Sequence, residues 1–316
     1  MPALLQSERP DTLPGVPTTR VAVIQAGAVP YDVGAGLAKA EHWLEQAASA
    51  GAKLAVFPEA FLTGYPKGAS FGTLLGSRSE QGRAEFRRYL ENAIDVPGEA
   101  TRRLAGAARA HSMWIVIGVI ERDGATLYCT ALFFSPDGAL VAKHRKLMPT
   151  ALERILWGFG DGSTLPVVDT GFGRAGAVIC WENYMPLLRT AMYAKGIQLY
   201  CAPTVDDREV WPSTMRHIAL EGRCYVLSAC QYARFGDSPR EVIRGGSLIV
   251  GPLGEILAGP VYDAETMLTA DVSLERIAEA KFDFDVTGHY ARPDIFQLRV
   301  NEAPQAAVVA EAREDS

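Results

Sequence analysis

Paired cysteines are the first thing this sequence lacks. Its five cysteines, Cys129, Cys180, Cys201, Cys224 and Cys230, are odd in number and scattered, and no two form a C-x-x-C pair. That argues against a disulfide framework and against the common zinc-finger spacings, which His217 near Cys224 does not restore. Long apolar runs are missing as well. No window approaches the roughly eighteen consecutive apolar residues of a membrane span. Met1 to Arg20 is rich in proline and polar residues and lacks the apolar core of a signal peptide. There is no excess of positive charge either. Lys and Arg number 31 against 37 Asp and Glu, a net charge of −6, which argues against a general nucleic-acid binder. The basic run Lys143 to Lys146 is short, is soon followed by Glu153, and reads as a solvated strand end. Together these absences point to a protein of a reducing compartment, expected to be cytoplasmic.

What is present is ordinary globular material: 316 residues, 48% hydrophobic and 22% charged. That length suits one large domain or two small ones. Strand and helix patterns alternate. Val21 to Ala28 and Lys53 to Phe57 read as buried strands around a helix over Gly34 to Ala50, with Leu37, Ala40, Leu44, Ala47 and Ala48 on one face. Helices are expected at Glu80 to Ile94 and Gly98 to His111. Strands follow at Met113 to Ile120, Leu127 to Phe134 and Ala139 to His144, joined by Arg122-Asp123-Gly124 and Ser135-Pro136-Asp137-Gly138 as hairpin turns. The second half repeats the alternation, with strands at Val167 to Asp169, Ala177 to Cys180, Leu199 to Pro203, Tyr225 to Gln231 and Ser247 to Val250. Its helices fall at Met185 to Lys195 and Trp211 to Arg223, and Leu253-Gly254-Glu255 is a further turn. No low-complexity linker divides the chain. This pattern predicts one α/β (or α+β) sandwich domain over residues 21–302, an N-terminal extension over 1–20 and a loose tail over 303–316.

Three segments carry candidate chemistry. Cys180, in Gly-Ala-Val-Ile-Cys-Trp-Glu-Asn, sits where an apolar strand runs into polar residues ahead of a helix, a setting that favours a thiolate. Glu59, in Phe-Pro-Glu-Ala-Phe, is a carboxylate in apolar surroundings, suited by a raised pKa to general base work. Lys146, in Lys-His-Arg-Lys-Leu-Met-Pro-Thr, is placed to hold developing negative charge. Each has a bland reading when taken alone: an inert core thiol, a strand-end carboxylate, a surface lysine. Their shared layout of strand, reactive side chain and proline-bearing turn brings them to one sheet edge.

With those segments in view, the sequence resembles the nitrilase, or carbon–nitrogen hydrolase, superfamily from about Val21 to Phe296. The resemblance implies Glu59 as general base, Lys146 as catalytic lysine, Cys180 as nucleophile, and Glu153 in Glu-Arg-Ile-Leu-Trp-Gly as a second glutamate that positions lysine and substrate. Cys-Trp-Glu-Asn, Glu-Arg-x-x-Trp-Gly-x-Gly-Asp-Gly-Ser and Thr287 to Asp294 are similar to the true nitrilase branch. The fold so implied is a four-layer αββα sandwich, paired across a helical surface into homodimers that assemble into larger helical oligomers. The reaction implied converts an organic nitrile and two waters to a carboxylic acid and ammonia through a thioimidate and a thioester, with no metal or organic cofactor. Tyr65, Trp181, Trp157 and Phe61 flank the catalytic segments and are candidates to line the substrate pocket, core packing being the other reading of each.

The rival readings have signatures of their own. An amidase or a cyanide-hydrolysing enzyme would share the triad, and the tryptophan after Cys180 weighs against the amidase. A non-catalytic scaffold would have lost a triad residue. An NAD-dependent oxidoreductase is suggested only by Gly171 to Gly176, a G-x-G-x-x-G string that precedes a strand instead of following one, and so reads as a hairpin turn. Gly160-Asp161-Gly162-Ser163 lacks the other positions of a calcium loop. His144 lies beside a lysine that the resemblance accounts for and reads as structural.

Overall fold

Apolar residues at every second strand position and every third or fourth helix position build two sheets sandwiched between helices. The computed structural model describes residues 17–234, 242–306 and 308. Residues 1–16 of the expected N-terminal extension, and 307 and 309–316 of the expected tail, lie outside the described residues.

The first sheet has the strand order β14-β1-β2-β4-β5-β6. These strands are β1 (Thr19–Gln25), β2 (Leu54–Val56), β4 (Trp114–Asp123), β5 (Thr126–Phe134), β6 (Leu140–Arg145) and β14 (Thr266–Val272), while the short β3 (Ile94–Asp95) pairs with β4. β1, β2 and β4 run parallel, connected through α1 (Val33–Ser49) and then α2 (Glu80–Glu91) and α3 (Glu99–His111). Helix α1 starts where Asp32 accepts the N–H of Ala35 at 2.8 Å, and α2 starts at Ser79, which caps Gly82 at 3.0 Å.

The second sheet has the order β11-β12-β10-β9-β8-β7. Its strands are β7 (Val167–Asp169), β8 (Arg174–Ala177), β9 (Leu199–Thr204), β10 (Tyr225–Cys230), β11 (Tyr232–Arg234) and β12 (Val242–Val250), with β13 (Ile256–Tyr262) paired to β12. Again three consecutive strands, β8, β9 and β10, are parallel, here through α4 (Pro186–Ala194) and α5 (Trp211–Gly222). A final helix, α6 (Leu274–Asp283), follows β14.

Alternation decides the layers. Val21, Val23, Val56 and Val116 face Ala177, Cys201, Leu227 and Ile249 between the sheets. The intervening residues Ala22, Ile24, Ala55 and Ile115 face Leu37, Leu44 and Leu104 of α1 and α3. Val178, Tyr200 and Val226 pack on Leu188, Met192 and Met215 of α4 and α5. The order is helix, sheet, sheet, helix, as the resemblance implied.

The expected hairpins at Asp123-Gly124, Ser135 to Gly138 and Leu253 to Glu255 are present, each with its glycine at positive φ. Gly171 to Gly173 turns β7 into β8, as a hairpin. Several expectations shift, among them the helix expected over Glu80 to Ile94, which ends at Glu91 with Ile94 in β3, and the strand expected over Ser247 to Val250, which begins at Val242. The first strand begins at Thr19, two residues before Val21. The strand expected over Ala177 to Cys180 runs instead from Arg174 to Ala177, because the backbone turns at Cys180. No helix among the described residues is long and apolar enough to cross a membrane.

Candidate active site

Strand ends converge as the sequence layout requires. Lys146 follows β6, its N–H extending the ladder to the Cys129 carbonyl at 2.8 Å. Its ammonium is fully buried and touches two carboxylates: Glu59 Oε1 at 2.7 Å and Glu153 Oε2 at 2.8 Å. The Trp157 ring lies under it, its centroid 5.6 Å from Nζ.

Glu59 is reached through Phe57-Pro58, just beyond β2. The turn there packs directly onto β4 at Gly118. A Cβ at Gly118 would lie 2.3 Å from the Pro58 carbonyl oxygen and 2.6 Å from Glu59 Cα, so only glycine lets the glutamate segment approach. From the second sheet, Gln231 Nε2 donates to the Glu59 carbonyl at 2.7 Å. The Cys129 thiol donates to Oε1 at 3.5 Å. Glu59 Oε2 is buried with no hydrogen-bond partner among the described residues, which leaves it free to take a proton.

Glu153 sits in a single 3-10 turn, Ala151–Ile155. Its Oε2 also accepts the Thr150 N–H at 2.7 Å, and its Oε1 accepts the Tyr65 hydroxyl at 2.8 Å. The Tyr65 ring in turn meets Trp157 edge-on, with centroids 5.8 Å apart. The second glutamate is thus held by three donors and has its charge directed at the lysine.

Cys180 opens a 3-10 turn, Cys180–Tyr184, with φ of 52°. A left-handed non-glycine residue of this kind costs about 1–3 kcal/mol and persists only where its surroundings impose it. Asn183 Nδ2 does part of that, bonding the carbonyls of Cys180 at 2.7 Å and Val178 at 2.9 Å. Helix α4 begins only at Pro186, so the expected stabilisation of a thiolate by a helix N-terminus directly after Cys180 is not what this backbone supplies.

The electrostatics agree. Burial pushes the Cys180 thiol well up, and the nearby Glu59 carboxylate pushes it further, against the opposing pull of Lys146. Burial likewise raises Glu59, with Lys146 opposing. For Lys146, burial disfavours the charge, but Glu59, Cys180 and Glu153 outweigh it and hold the ammonium charged. One ammonium already faces two carboxylates, so a thiolate would be a third buried anion. The Cys180 environment therefore favours the thiol over the thiolate.

The structure brings Glu59, Lys146, Glu153, Tyr65 and Trp157 together, with Cys180 in electrostatic range of the first three. Trp181 is at the rim, 43% exposed, its indole N–H on Asp206 at 2.9 Å and the Arg208 guanidinium 4.7 Å from its ring centroid. Phe61 goes elsewhere. Ala60 at φ 49° turns the chain, and Phe61 packs on Phe57, with centroids 5.2 Å apart, in the outer core against α1 and α3. It is a core residue and not a pocket wall. Sequence reasoning missed Gly118, Gln231 and the contact of Cys129. The first two carry no local signature, and nothing in the sequence singles out Cys129 among the five cysteines. Among the described residues, no group of three or more His, Cys, Asp and Glu side chains is placed to hold a metal ion.

Glu153→Gln keeps the shape of the side chain but removes the charge at the lysine. Its expected effect is a fall in kcat of about 10–100-fold with little change in KM, since a misdirected ammonium stabilises the transition state less. An unaltered kcat would remove Glu153 from the site.

Residues 20–282 match the family model described as carbon-nitrogen hydrolase. An aliphatic nitrilase of Sinorhizobium fredii (strain HH103) is 59% identical over 93% of this chain and 99% of its own length. A bifunctional nitrilase/nitrile hydratase of Nicotiana tabacum is 56% identical over 90% of this chain and 87% of its own. Among solved structures, Saccharomyces cerevisiae Nit3, a member of branch 10 of the nitrilase superfamily, superposes with a TM-score of 0.70 at 26% identity, covering 86% of this chain and 96% of that one. A shared fold, a match over most of the length and relatives above half identity leave one assignment: this chain belongs to the carbon-nitrogen hydrolase family, among its nitrilases.

Proposed function

We propose that Glu59, Lys146 and Cys180 carry the hydrolysis of an organic nitrile to its carboxylic acid and ammonia in this chain. The observation that carries the reading is the buried cluster in which Lys146 bridges Glu59 and Glu153 while Glu59 Oε2 is left without a partner. A nitrile carbon is a weak electrophile and needs both a strong nucleophile and a cation near its nitrogen.

The steps follow from those groups. Glu59 takes the Cys180 proton as the sulfur adds to the nitrile carbon; a C–S bond forms and one C≡N π bond breaks. The charge moving onto nitrogen is met by the Lys146 ammonium and by the Trp181 N–H, which heads its turn and has no partner within it. Glu59 passes the Cys180 proton to the nitrogen, which gives a thioimidate and restores the carboxylate. Glu59 then deprotonates a water that adds to the same carbon and relays both of the water's protons to the nitrogen; the C–N bond breaks, ammonia leaves, and a thioester remains. A second water releases the acid and restores the thiol. Glu153 and Tyr65 hold the lysine in place, and Tyr65, Trp157 and Trp181 flank the substrate.

The test is ammonia release from an aliphatic dinitrile, benzonitrile, phenylacetonitrile, cyanide and the matching amides. Release from one or more organic nitriles with the amides inert is the expected result. Turnover confined to cyanide or to the amides would keep the three residues and assign the chain to a sibling activity. We further propose a cytoplasmic homodimer that assembles into larger helical oligomers; Leu187, Leu220, Leu274 and Phe282, exposed on α4, α5 and α6, support a helical pairing surface.

A further inference from the structure

Strand β6 alternates, and its faces do different work. Lys143 and Arg145 reach Glu121, at 2.5 and 2.7 Å. His144 shares the opposite face with Lys146 and is fully buried. Its Nδ1 lies 2.6 Å from the Thr164 carbonyl oxygen, and its Nε2 lies 2.9 Å from Glu182 Oε2. Glu182, two residues after Cys180, is 1% exposed. The same carboxylate accepts the N–H of Leu147 at 2.5 Å and that of Ile179 at 2.9 Å. One side chain thus bonds the residue after the catalytic lysine and the residue before the nucleophile.

The hydrogen-bond inventory fixes the proton count. A carbonyl oxygen only accepts, so Nδ1 must carry a proton. A neutral imidazole has one N–H, and Nε2 would then set a lone pair against a carboxylate oxygen in a buried site. A proton must lie between them. The Glu182 oxygens already accept from two backbone N–H groups, so the geometry places the proton on the ring.

We propose that His144, as an imidazolium, and Glu182, as a carboxylate, form a buried clamp that locks the left-handed Cys180 turn against the Lys146 strand, making both positioning residues for the reaction. The clamp rests on the reading of Cys180 and Lys146 given above. Burial alone would lower the His144 pKa, but Glu182 and the Thr164 carbonyl outweigh it and raise it from its ordinary value. No other ionisable side chain among the described residues bonds the pair. Lys143 and Arg145 are engaged on Glu121, and Lys146 on Glu59 and Glu153. The clamp also accounts for a strained residue with no α-helix directly behind it, since it adds a tie from the Lys146 strand to the one Asn183 makes within the turn.

Two measurements test it. Long-range proton–nitrogen correlation spectra of the full chain labelled with ¹⁵N-histidine, taken at about pH 8, should show one ring with both nitrogens protonated. A buried ring with one bare nitrogen would overturn the clamp, and this arm is independent of activity. Glu182→Gln, with a circular dichroism spectrum like that of the parent, should lower kcat about 100-fold and leave KM within about twofold, because the reacting groups are displaced and not removed. An unchanged kcat in Glu182→Gln beside a fully active parent would sink the clamp alone, whereas a parent inert on every nitrile would sink the triad reading; if the variant does not fold, the spectrum of the parent decides.

Discussion

Cys180→Ala should release no measurable ammonia from any nitrile, a loss of at least about 10⁴-fold on the scale of nucleophile deletions. Cys180 is the one thiol among the five placed in a strained turn beside Glu59 and Lys146, and no other group there would form the carbon–sulfur bond. Cys129 also touches Glu59, but it lies inside the β5 ladder and not in a turn beyond a strand end, so it is no substitute nucleophile. The variant should fold. Only one sulfur atom is removed, the hydrogen bonds of Asn183 and Glu182 to the turn involve the backbone, and alanine tolerates a φ near 52° about as well as cysteine does. Retained ammonia release from a folded Cys180→Ala protein would overturn the nucleophile assignment.

Lys146→Met should combine two losses. The first is catalytic: with no ammonium to meet the charge on nitrogen, the rate should fall by about 10²–10³-fold or more. The second is structural. Methionine fills most of the volume but leaves Glu59 and Glu153 facing each other without a cation, and breaking a buried pair costs about 3–5 kcal/mol. That is a large share of the 5–15 kcal/mol typical of a folded domain. The pH dependence has a defined sign. Burial already raises Glu59, and loss of Lys146 removes the influence opposing it. A carboxyl with a raised native pKa binds its proton more tightly folded than unfolded, so its contribution is present at acid pH and is lost as pH rises. Denaturant midpoints should therefore show a small deficit near pH 5 and a growing one toward pH 8. A uniform deficit across that range would mean that the lysine is not what balances Glu59.

How much of this was legible in the sequence depended on whether a residue's role was local. Glu59, Lys146 and Cys180 were legible because each lies at or just beyond a strand end, and strand ends meet at an edge whatever the path between them. Glu153 was legible through its resemblance-bearing segment. The alternation of strands and helices also came through wherever a whole face is buried, as in β4, β5 and β10. It failed for β13, β14 and α6. The two strands are half-exposed along their length, so their alternation is weak, and Gly259-Pro260 interrupts β13 with residues that ordinarily end strands. Phe61 misled for a different reason. Two residues from Glu59 looked close to the site, but one left-handed residue between them sends the side chain to the opposite face of the sheet. Gly118 and Gln231 were out of reach because their roles exist only once distant segments touch. Gln231 spans 172 positions to bond Glu59, and nothing in its neighbourhood of sequence records that. His144 read as structural with no partner named, and Glu182, 38 positions away, read only as the polar end of a strand.

The central claim is that Cys180 forms the covalent bond to the substrate carbon. Acid quench of the parent protein during turnover of a good nitrile, followed by peptide mapping with mass spectrometry, addresses it directly. The account predicts substrate-derived mass, as thioimidate or thioester, on the peptide containing Cys180 and absent from the Cys180→Ala variant. Mass carried instead by Cys129, Cys230 or Glu59 would contradict it.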